Sequence, residues 1–183
     1  TMFMNWVRQG RLTLPDQEEE SQMFEETILA MEKAGRKQYE ISNFALAGKE
    51  SEHNKVYWHN EHYFGFGAGA SGYVGDTRYK NFGPIQHYLS PLRENKLPVY
   101  DEETLTVKSQ MEEEMFLGLR LKEGVSASRF AEKFQRSIQE VYGKVLAEEQ
   151  QAGLLEVTGD RIRLTESGLL IGNDIFERFL IDE

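Results

Sequence analysis

The sequence predicts an α+β fold in two parts, and three observations support this prediction. Apolar residues recur at helical spacing after Asp16, and the alternating segment 37–41 follows them, as in one helix–strand unit of an α/β layer. Two further alternating runs surround the turn at 158–160 and predict a hairpin. Predicted helices flank this hairpin, an order typical of a winged-helix-like module. The two parts are therefore expected at 1–101 and 102–183.

Composition excludes several classes of function. The chain has 183 residues, a net charge of −10 and no cysteine. A nucleic-acid partner normally requires a basic face, so we expect none. Without cysteine the chain has neither a thiolate nucleophile nor a thiolate ligand for an iron–sulfur cluster. No apolar run is long enough to cross a membrane and no signal peptide is present, so a cytoplasmic protein is expected.

One helix, with capping signals at both ends, and one strand can be predicted in the first part of the chain. Asp16 is the expected N-cap, Glu19 completes a capping box, and Gly35 ends the helix. The strand 37–41 is followed by the loop 42–45, which we place at a site rim if the unit belongs to a barrel. Residues 1–6 carry no start signal, which indicates a cut through a larger protein; a short N-terminal turn is the alternative.

The middle of the chain is unusually rich in aromatic and tiny residues. If residues 53–58 are helical, His53 and Tyr57 share one face together with Val56 or Asn60. Residues 63–70 are interpreted as a strand-like run. Because glycine weakens strands, its presence there indicates that a ligand or a neighbouring helix approaches the backbone. A hairpin return at 75–76, a helix at 84–95 and a linker at 99–101 complete this part.

The second part is predicted to be mostly helical. Helices are expected at 104–121, at 127–134 with Ser126 as N-cap, and from Ile138 to just before Gly153. The hairpin and a last helix at 165–180 follow. Acidic residues surround the helix that would read DNA in a winged helix, which favours packing or partner docking; they are Glu140, Glu148 and Glu149.

The histidines of the middle segment allow two kinds of metal chemistry. His59 and His62 stand at i, i+3 and could hold a metal with a third ligand, but solvated loop histidines are the preferred interpretation. His53 lies near Tyr57 and Trp58, an arrangement that suits a haem-iron ligand with rings over the porphyrin. A hydrogen-bonded histidine in a packed helix is the alternative.

The glycines at 65–70 do not form a known phosphate cradle. They lack the G-x-G-x-x-G spacing, and no lysine follows them as in a P-loop. Close packing against a cofactor or a helix is the better interpretation.

Four stretches together resemble a known family. They are Y-E-I-S-N-F-A at 39–45, H-N-x-x-Y-W at 53–58, Y-F-G-F-G-A-G-A at 63–70, and 154–171. They resemble the oxygen-independent coproporphyrinogen III oxidase-like proteins. The second motif is similar to the HemW-type branch, the haem chaperones, because the oxidases themselves lack it.

The resemblance implies a radical S-adenosylmethionine protein. Its parent would hold S-adenosylmethionine and a [4Fe–4S] cluster in a partial TIM-like barrel. Since this chain has no cysteine, the resemblance implies a C-terminal fragment: the last βα units of the barrel, then a HemN-type C-terminal domain. No catalytic residue is expected within it, and the fragment alone is expected to be inactive.

The resemblance also implies two groups of site residues. The haem-binding group, with His53 as the iron ligand, is His53, Asn54, Tyr57 and Trp58. The group along the S-adenosylmethionine and substrate side is Gly67, Ala68, Gly69, Ala70 and Ser71. Many family members have histidine where this chain has Ser71, so a contribution of that histidine to binding would be absent here.

Three functions remain open at this point. The first is a haem chaperone that delivers haem to apoproteins, with peripheral membrane contact of the parent. The second is oxidative decarboxylation of coproporphyrinogen III. The third is a packing and docking module without chemistry of its own. An opened barrel also exposes a strand edge, through which the fragment is expected to self-associate.

Overall fold

The computed structural model describes residues 2–181 of the chain, without the side chain of Gln17. The chain forms two compact units, and the division falls between Glu50 and Ser51. The elements of the N-terminal unit are α1 (Met2–Arg8), α2 (Gln17–Lys33), β1 (Lys37–Glu40) and β2 (Asn43–Ala45).

The capping signals of α2 are confirmed. The Asp16 carboxylate accepts from the Glu19 amide at 2.9 Å, and the Glu19 carboxylate accepts from the Asp16 amide at 3.1 Å. Gly35 follows the helix with a φ of +73°, which is the left-handed conformation expected after a helix end.

The helix α1 forms where no start signal is recognisable, so the alternative of a short N-terminal turn is wrong; Thr1 lies outside the described residues. The prediction for residues 42–45 is also wrong. The expected loop at 42–45 is largely the strand β2, which pairs antiparallel with β1. The turn between the strands is tight because the buried carboxylate of Glu40 accepts from the Ser42 amide at 3.0 Å and from the Asn43 side chain.

The C-terminal unit contains short strands and helices in alternation, and they pack as two small sheets with a helical cluster. Its elements are α3 (Glu52–Trp58), β3 (Ser71–Val74), β4 (Thr77–Asn81), α4 (Ile85–Arg93), β5 (Val99–Thr104), α5 (Val107–Gly118), β6 (Val125–Ser126), α6 (Ala127–Phe134), α7 (Ile138–Gln151), β7 (Leu155–Thr158), β8 (Arg161–Leu164), α8 (Glu166–Leu170) and α9 (Gly172–Glu177).

Both sheets are antiparallel and have three strands. The first has the order β3-β4-β5, with Tyr73 opposite Arg78 and Arg78 opposite Glu103. The second has the order β6-β8-β7, so the predicted hairpin of β7 and β8 is confirmed and β6 is added at its open side. The two-residue β6 is too short for alternation to reveal it.

The core of the C-terminal unit lies between α5, α6, α7 and α9. Its central side chains are almost completely buried; they are Met115, Leu119, Phe130, Tyr142, Ile175 and Phe179. Burial raises the pKa of Tyr142 far above its ordinary value because the phenolate would be formed away from water.

Three element predictions in this unit need correction. Residues 63–70 form a loop whose one β-bridge joins Tyr63 to Tyr73, not a strand. The expected linker at 99–101 belongs to β5, because its residues complete the first sheet. The single helix expected at 165–180 is two short helices, α8 and α9, which meet at Ile171, where φ is −121° and breaks the helical geometry.

The other predicted helices of the unit are present with small changes of boundary. Thr106 caps α5, two residues later than predicted, and Ser126 and Ser137 cap α6 and α7. Among residues 2–181, no helix has the length and apolar character that crossing a membrane requires.

Candidate functional site

The H-N-x-x-Y-W motif forms the short helix α3, which begins at a serine cap. The Ser51 hydroxyl accepts from the Asn54 amide at 3.2 Å. One helical turn separates His53 from Tyr57, whose hydroxyl oxygen lies 3.2 Å from Nε2 of His53. The two rings meet edge to face with centroids 4.8 Å apart. The predicted pairing of these residues on one side of the helix is therefore confirmed, and His53 is exposed.

An aromatic chain extends from this helix into the loop at 63–70. The Tyr57 ring meets the Tyr63 ring at 4.5 Å, again edge to face. Beyond Tyr63, the side chains of Phe64 and Phe66 are 67% and 86% exposed, and their rings lie 6.0 Å apart. Two neighbouring exposed phenyl rings are a candidate contact surface for a ligand or partner. We call His53, Tyr57, Phe64 and Phe66 together the exposed face; ring contacts join His53 to Tyr57 and Phe64 to Phe66.

Polar side chains hold the glycine loop in place. The buried amide of Asn81 donates to the carbonyls of Gly65 and Gly67, both at 3.0 Å. The amides of the same two glycines donate to the hydroxyls of Tyr79 at 2.9 Å and Tyr88 at 3.2 Å. The loop is therefore shaped from the sheet and from α4, by residues that the sequence pattern did not single out.

Close contacts within the chain itself require glycine at Gly65 of the loop and at Gly72 of β3. A Cβ atom on Gly65 would lie 2.3 Å from the Ser71 carbonyl oxygen, and one on Gly72 would lie 2.3 Å from the Tyr79 ring. The close approach predicted for a ligand or a helix is thus made by β3 and β4. Gly67 is different, because its φ of +105° requires glycine although the space beside it is open.

The residues predicted along the S-adenosylmethionine side lie at the end of this loop and the start of β3. Within Gly67–Ser71, the amide of Gly69 donates to the Phe82 carbonyl at 2.8 Å and that of Ala70 to the Gly67 carbonyl at 3.3 Å. With the Gly67 amide on Tyr88, three amides of this stretch are engaged inside the unit. A binding role for Gly67, Ala68, Gly69, Ala70 and Ser71 stays a prediction.

The other end of α3 is held by basic side chains. The guanidinium of Arg120 lies 4.4 Å from the centre of the Trp58 ring. Arg129 donates to the carbonyl of His59, and Lys133 Nζ lies 3.4 Å from the carbonyl of Asn60. Cations at helix carbonyls are favourable because they meet the negative end of the helix dipole. We call Trp58, His59 and Asn60 the anchored end.

Two adjacent carboxylates on α5, Glu113 and Glu114, pair with basic side chains of this unit. Glu114 is buried and pairs with Lys133 at 2.8 Å and with Arg129 at 3.6 Å. Glu113 makes a bidentate pair with Arg78 of β4 at 2.8 and 2.9 Å. Burial acts to lower the pKa of Arg78, but the hydrogen bonds and charge of Glu113 outweigh it and raise the pKa. Adjacent glutamates inside a predicted packing helix are the signal that could have identified them.

The structure does not join His59 and His62 in a metal site. His59 Nε2 lies 3.2 Å from a Glu123 carboxylate oxygen, and the His62 ring packs edge-on against Tyr73 at 5.4 Å. Within the described part of the chain, no group of three His, Asp or Glu residues could hold a metal ion. The preferred interpretation of both as solvated loop residues is right for exposed His62 and wrong for His59, which is partly buried and contacts Glu123.

The motif residues thus separate into two groups. His53 and Tyr57 meet on the exposed face, whereas Trp58 contacts Arg120 at the anchored end. Asn54 is half-buried between them on α3.

Comparisons with known proteins identify a family model and several relatives similar to this chain. Residues 105–171 match the family model of the HemN C-terminal domain. The chain is 49% identical to the heme chaperone HemW of Bacillus subtilis (strain 168), over 98% of this chain and 48% of that protein. It is 46% identical to the heme chaperone HemW of Lactococcus lactis, over 100% of this chain and 48% of that protein. The chain thus spans about half the length of these relatives.

A solved structure shows the same fold. The Escherichia coli coproporphyrinogen III oxidase HemN, a radical SAM enzyme, matches 91% of this chain and 42% of its own with a TM-score of 0.68 and 18% identity. The mixed α+β architecture is therefore that of HemN-like proteins. With the two HemW relatives and the C-terminal domain model, the chain belongs to the HemN-like family, on its HemW-type branch.

Proposed function

We propose that this chain binds haem on its exposed face and serves in a haem chaperone. The observation that carries the proposal is the exposed imidazole of His53, set beside Tyr57 and close in sequence to two solvent-exposed phenyl rings. An imidazole is a common axial ligand of haem iron, and aromatic rings provide the flat apolar contact that a porphyrin needs. Two relatives that are 49% and 46% identical to this chain are named heme chaperones.

The Tyr57 hydroxyl lies beside one of the two ring nitrogens that could bind iron in this proposal. Its oxygen is 3.2 Å from Nε2 of His53, and the hydroxyl can donate to that nitrogen or accept from it. Iron needs a nitrogen with a free lone pair. Coordination through Nε2 would therefore require the Tyr57 side chain to move aside.

Exposure of the site suits a carrier rather than a storage protein. A ligand on an open face leaves by the route it entered, without opening a core, and haem-accepting apoproteins can approach it directly. In this proposal Asn54 borders the haem, and Trp58 acts by fixing the direction of α3 through Arg120.

The family's cofactors are S-adenosylmethionine and a [4Fe–4S] cluster. This chain does not fit the cluster, since it has no cysteine to bind the iron. The loop at Gly67–Ser71 does not fit an amide cradle for S-adenosylmethionine either, because the amides of Gly67, Gly69 and Ala70 are already engaged. No reaction step is therefore assigned to residues of this chain.

We further propose that residues 1–101 correspond to the last βα units of a partial barrel and 102–183 to a winged-helix-like domain. The match to the HemN C-terminal domain begins at residue 105, and the hairpin of β7 and β8 follows α6 and α7 in the manner of a wing. A cytoplasmic location, peripheral membrane contact and self-association at an open strand edge belong to the same proposal. Coproporphyrinogen III oxidation is not favoured, since the likeness to HemN at 18% identity shows fold alone.

The test is a haem titration of the chain and of His53→Ala, followed by absorbance. We expect His53→Ala to weaken haem binding at least tenfold and to change the Soret band, because one axial ligand is lost. The matched control is His62→Ala, another exposed histidine, which should leave both unchanged. Identical affinity and spectrum for His53→Ala and the unmodified chain would overturn the proposal.

A further inference from the structure

A polar cavity of about 150 Å³ lies at the anchored end of α3. It is enclosed by the end of this helix, by α5 and α6, and by the β6 and β8 strands of the second sheet. Its lining is mostly polar and comprises Trp58, His59, Glu114, Ser126, Arg129 and Arg161, with backbone-lined walls at Gly118, Gly124 and Val125.

The cavity is positively charged although the chain is strongly acidic. The lining itself contains two cations and one carboxylate, which sum to +1 without His59; they are Arg129, Arg161 and Glu114. The chain as a whole carries −10. Outside the lining, the cations Lys133 and Arg120 and the carboxylates Glu123 and Asp160 contact lining residues and cancel one another. A single negative charge would therefore balance the site, in which Glu114 is buried and the Arg129 and Arg161 side chains are partly exposed.

Donors around the cavity have unused capacity. Trp58 Nε1 is buried and has no hydrogen-bond partner among the described residues, and the same holds for Arg120 Nε. Among the described residues, the Arg161 guanidinium contacts the Gly124 carbonyl at 3.3 Å and Glu123 at 3.8 Å, both of them long distances. A buried donor without a partner is unfavourable, so an acceptor that reaches it would be stabilising.

We propose that this cavity binds a carboxylate group. A carboxylate carries the one negative charge that the surroundings lack, and its two oxygens can accept from the planar guanidinium of Arg161 and from an indole N–H. The volume equals about five water molecules, which is enough for a carboxylate with a short alkyl stem. A phosphate dianion fits less well, because its second charge would meet the buried carboxylate of Glu114.

Two sources could supply this group. One is a free short-chain carboxylic acid. The other is a propionate side chain of haem held on the same helix by His53, and this second source rests on the proposed function.

The first experiment uses sodium propionate and does not involve haem. In a Trp6→Phe background the one remaining indole N–H signal belongs to Trp58, since the chain has two tryptophans. We expect this NMR signal to shift saturably with propionate and not with sodium chloride at equal ionic strength. Arg161→Gln should weaken the affinity at least tenfold and Arg161→Lys less, whereas the exposed Lys144→Gln should have no effect. Absence of a saturable shift, an equal shift with chloride, or an unchanged Arg161→Gln would overturn the proposal.

The second experiment separates the two sources by calorimetry with propionate on the haem-loaded chain. If haem blocks propionate but haem dimethyl ester does not, the cavity receives a haem propionate. If neither blocks it, a free acid is the ligand. Equal blocking by both would overturn the haem source, because the ester lacks the charge. A chain that binds propionate but no haem would refute the proposed function and leave the carboxylate site intact.

Discussion

The two ends of helix α3 have opposite surroundings. At its start, His53 and Tyr57 contact each other and lead to exposed aromatic rings. At its end, Trp58 and the two residues after it are held by Arg120, Arg129 and Lys133. A helix of seven residues is too short to be stable alone. Packing at one end of α3 holds the helix in place, so the side chains at the other end can remain accessible to a ligand.

This comparison separates stability from coordination of the haem iron. Changes at the anchored end should lower the free energy of unfolding and leave the haem spectrum of the folded chain intact. Changes on the exposed face should alter haem binding and leave the free energy of unfolding nearly unchanged.

The largest effect is expected from Glu114→Gln. The substitution removes the carboxylate between Lys133 and Arg129 and leaves two cations without their partner. Loss of one member of a fully buried ion pair costs 3–5 kcal/mol, and because both cations are partly exposed we expect about 2 kcal/mol. Urea unfolding measures this loss.

The matched control for that change is Glu94→Gln, at an ion pair with Lys96 that is mostly exposed on both sides. It should change the free energy of unfolding by less than about 0.5 kcal/mol. Equal losses in the two variants would mean that Glu114 does not organise the anchored end.

The next effect is expected from the double variant Phe64→Ser/Phe66→Ser. Both rings are exposed, so the free energy of unfolding should stay within about 0.5 kcal/mol of the unmodified chain. Haem affinity should fall about tenfold, because apolar contact area against the porphyrin is lost. Leu97→Ser, at a residue 81% exposed outside this face, is the control and should bind haem normally. Normal affinity in the double variant would remove the phenyl rings from the exposed face.

A smaller effect is expected at the Trp58–Arg120 contact. A double-mutant cycle with Trp58→Leu and Arg120→Met should give a coupling of about 1 kcal/mol, the usual strength of a partly buried cation–π pair. The haem spectrum of each folded variant should match that of the unmodified chain. A coupling near zero, or a changed Soret band in Arg120→Met, would contradict the assignment of Trp58 to positioning.

Local signals predicted much of the fold from sequence. The Asp16 capping box and the hairpin at 155–164 depend on neighbouring residues, and both are present. Errors occurred where pairing over distance decides the structure. Residues 63–70 lack a strand because Asn81 and Tyr79 take their backbone hydrogen bonds, and 99–101 became a strand because β4 offered a free edge.

In the candidate site, contacts within one helical turn were predicted and contacts between distant residues were missed. The i, i+4 spacing placed His53 beside Tyr57 correctly, since one helical turn determines it. Arg120, Arg129 and Glu114 were missed because 56 or more positions separate them from Trp58 in the chain. A charged residue on a packing helix gives no sign of the partner it will meet.

The smallest effect is expected at Asp160, in the turn between β7 and β8. Its carboxylate accepts from the Ser126 hydroxyl at 2.6 Å and from the Ser128 amide at 2.8 Å, at the start of the helix that carries Arg129. These hydrogen bonds, that of Ser126 above all, lower the pKa of Asp160 below its ordinary 3.8.

A lowered carboxyl pKa stabilises the folded chain above the unfolded value and ceases to do so as pH falls through the folded value. The difference in unfolding free energy between the unmodified chain and Asp160→Asn should therefore be constant above about pH 5 and shrink below pH 3.8. Urea unfolding at a series of pH values measures it. A difference that persists or grows toward pH 3 would show that the carboxylate does not support the start of α6, and the anchored end would then depend on Glu114 alone.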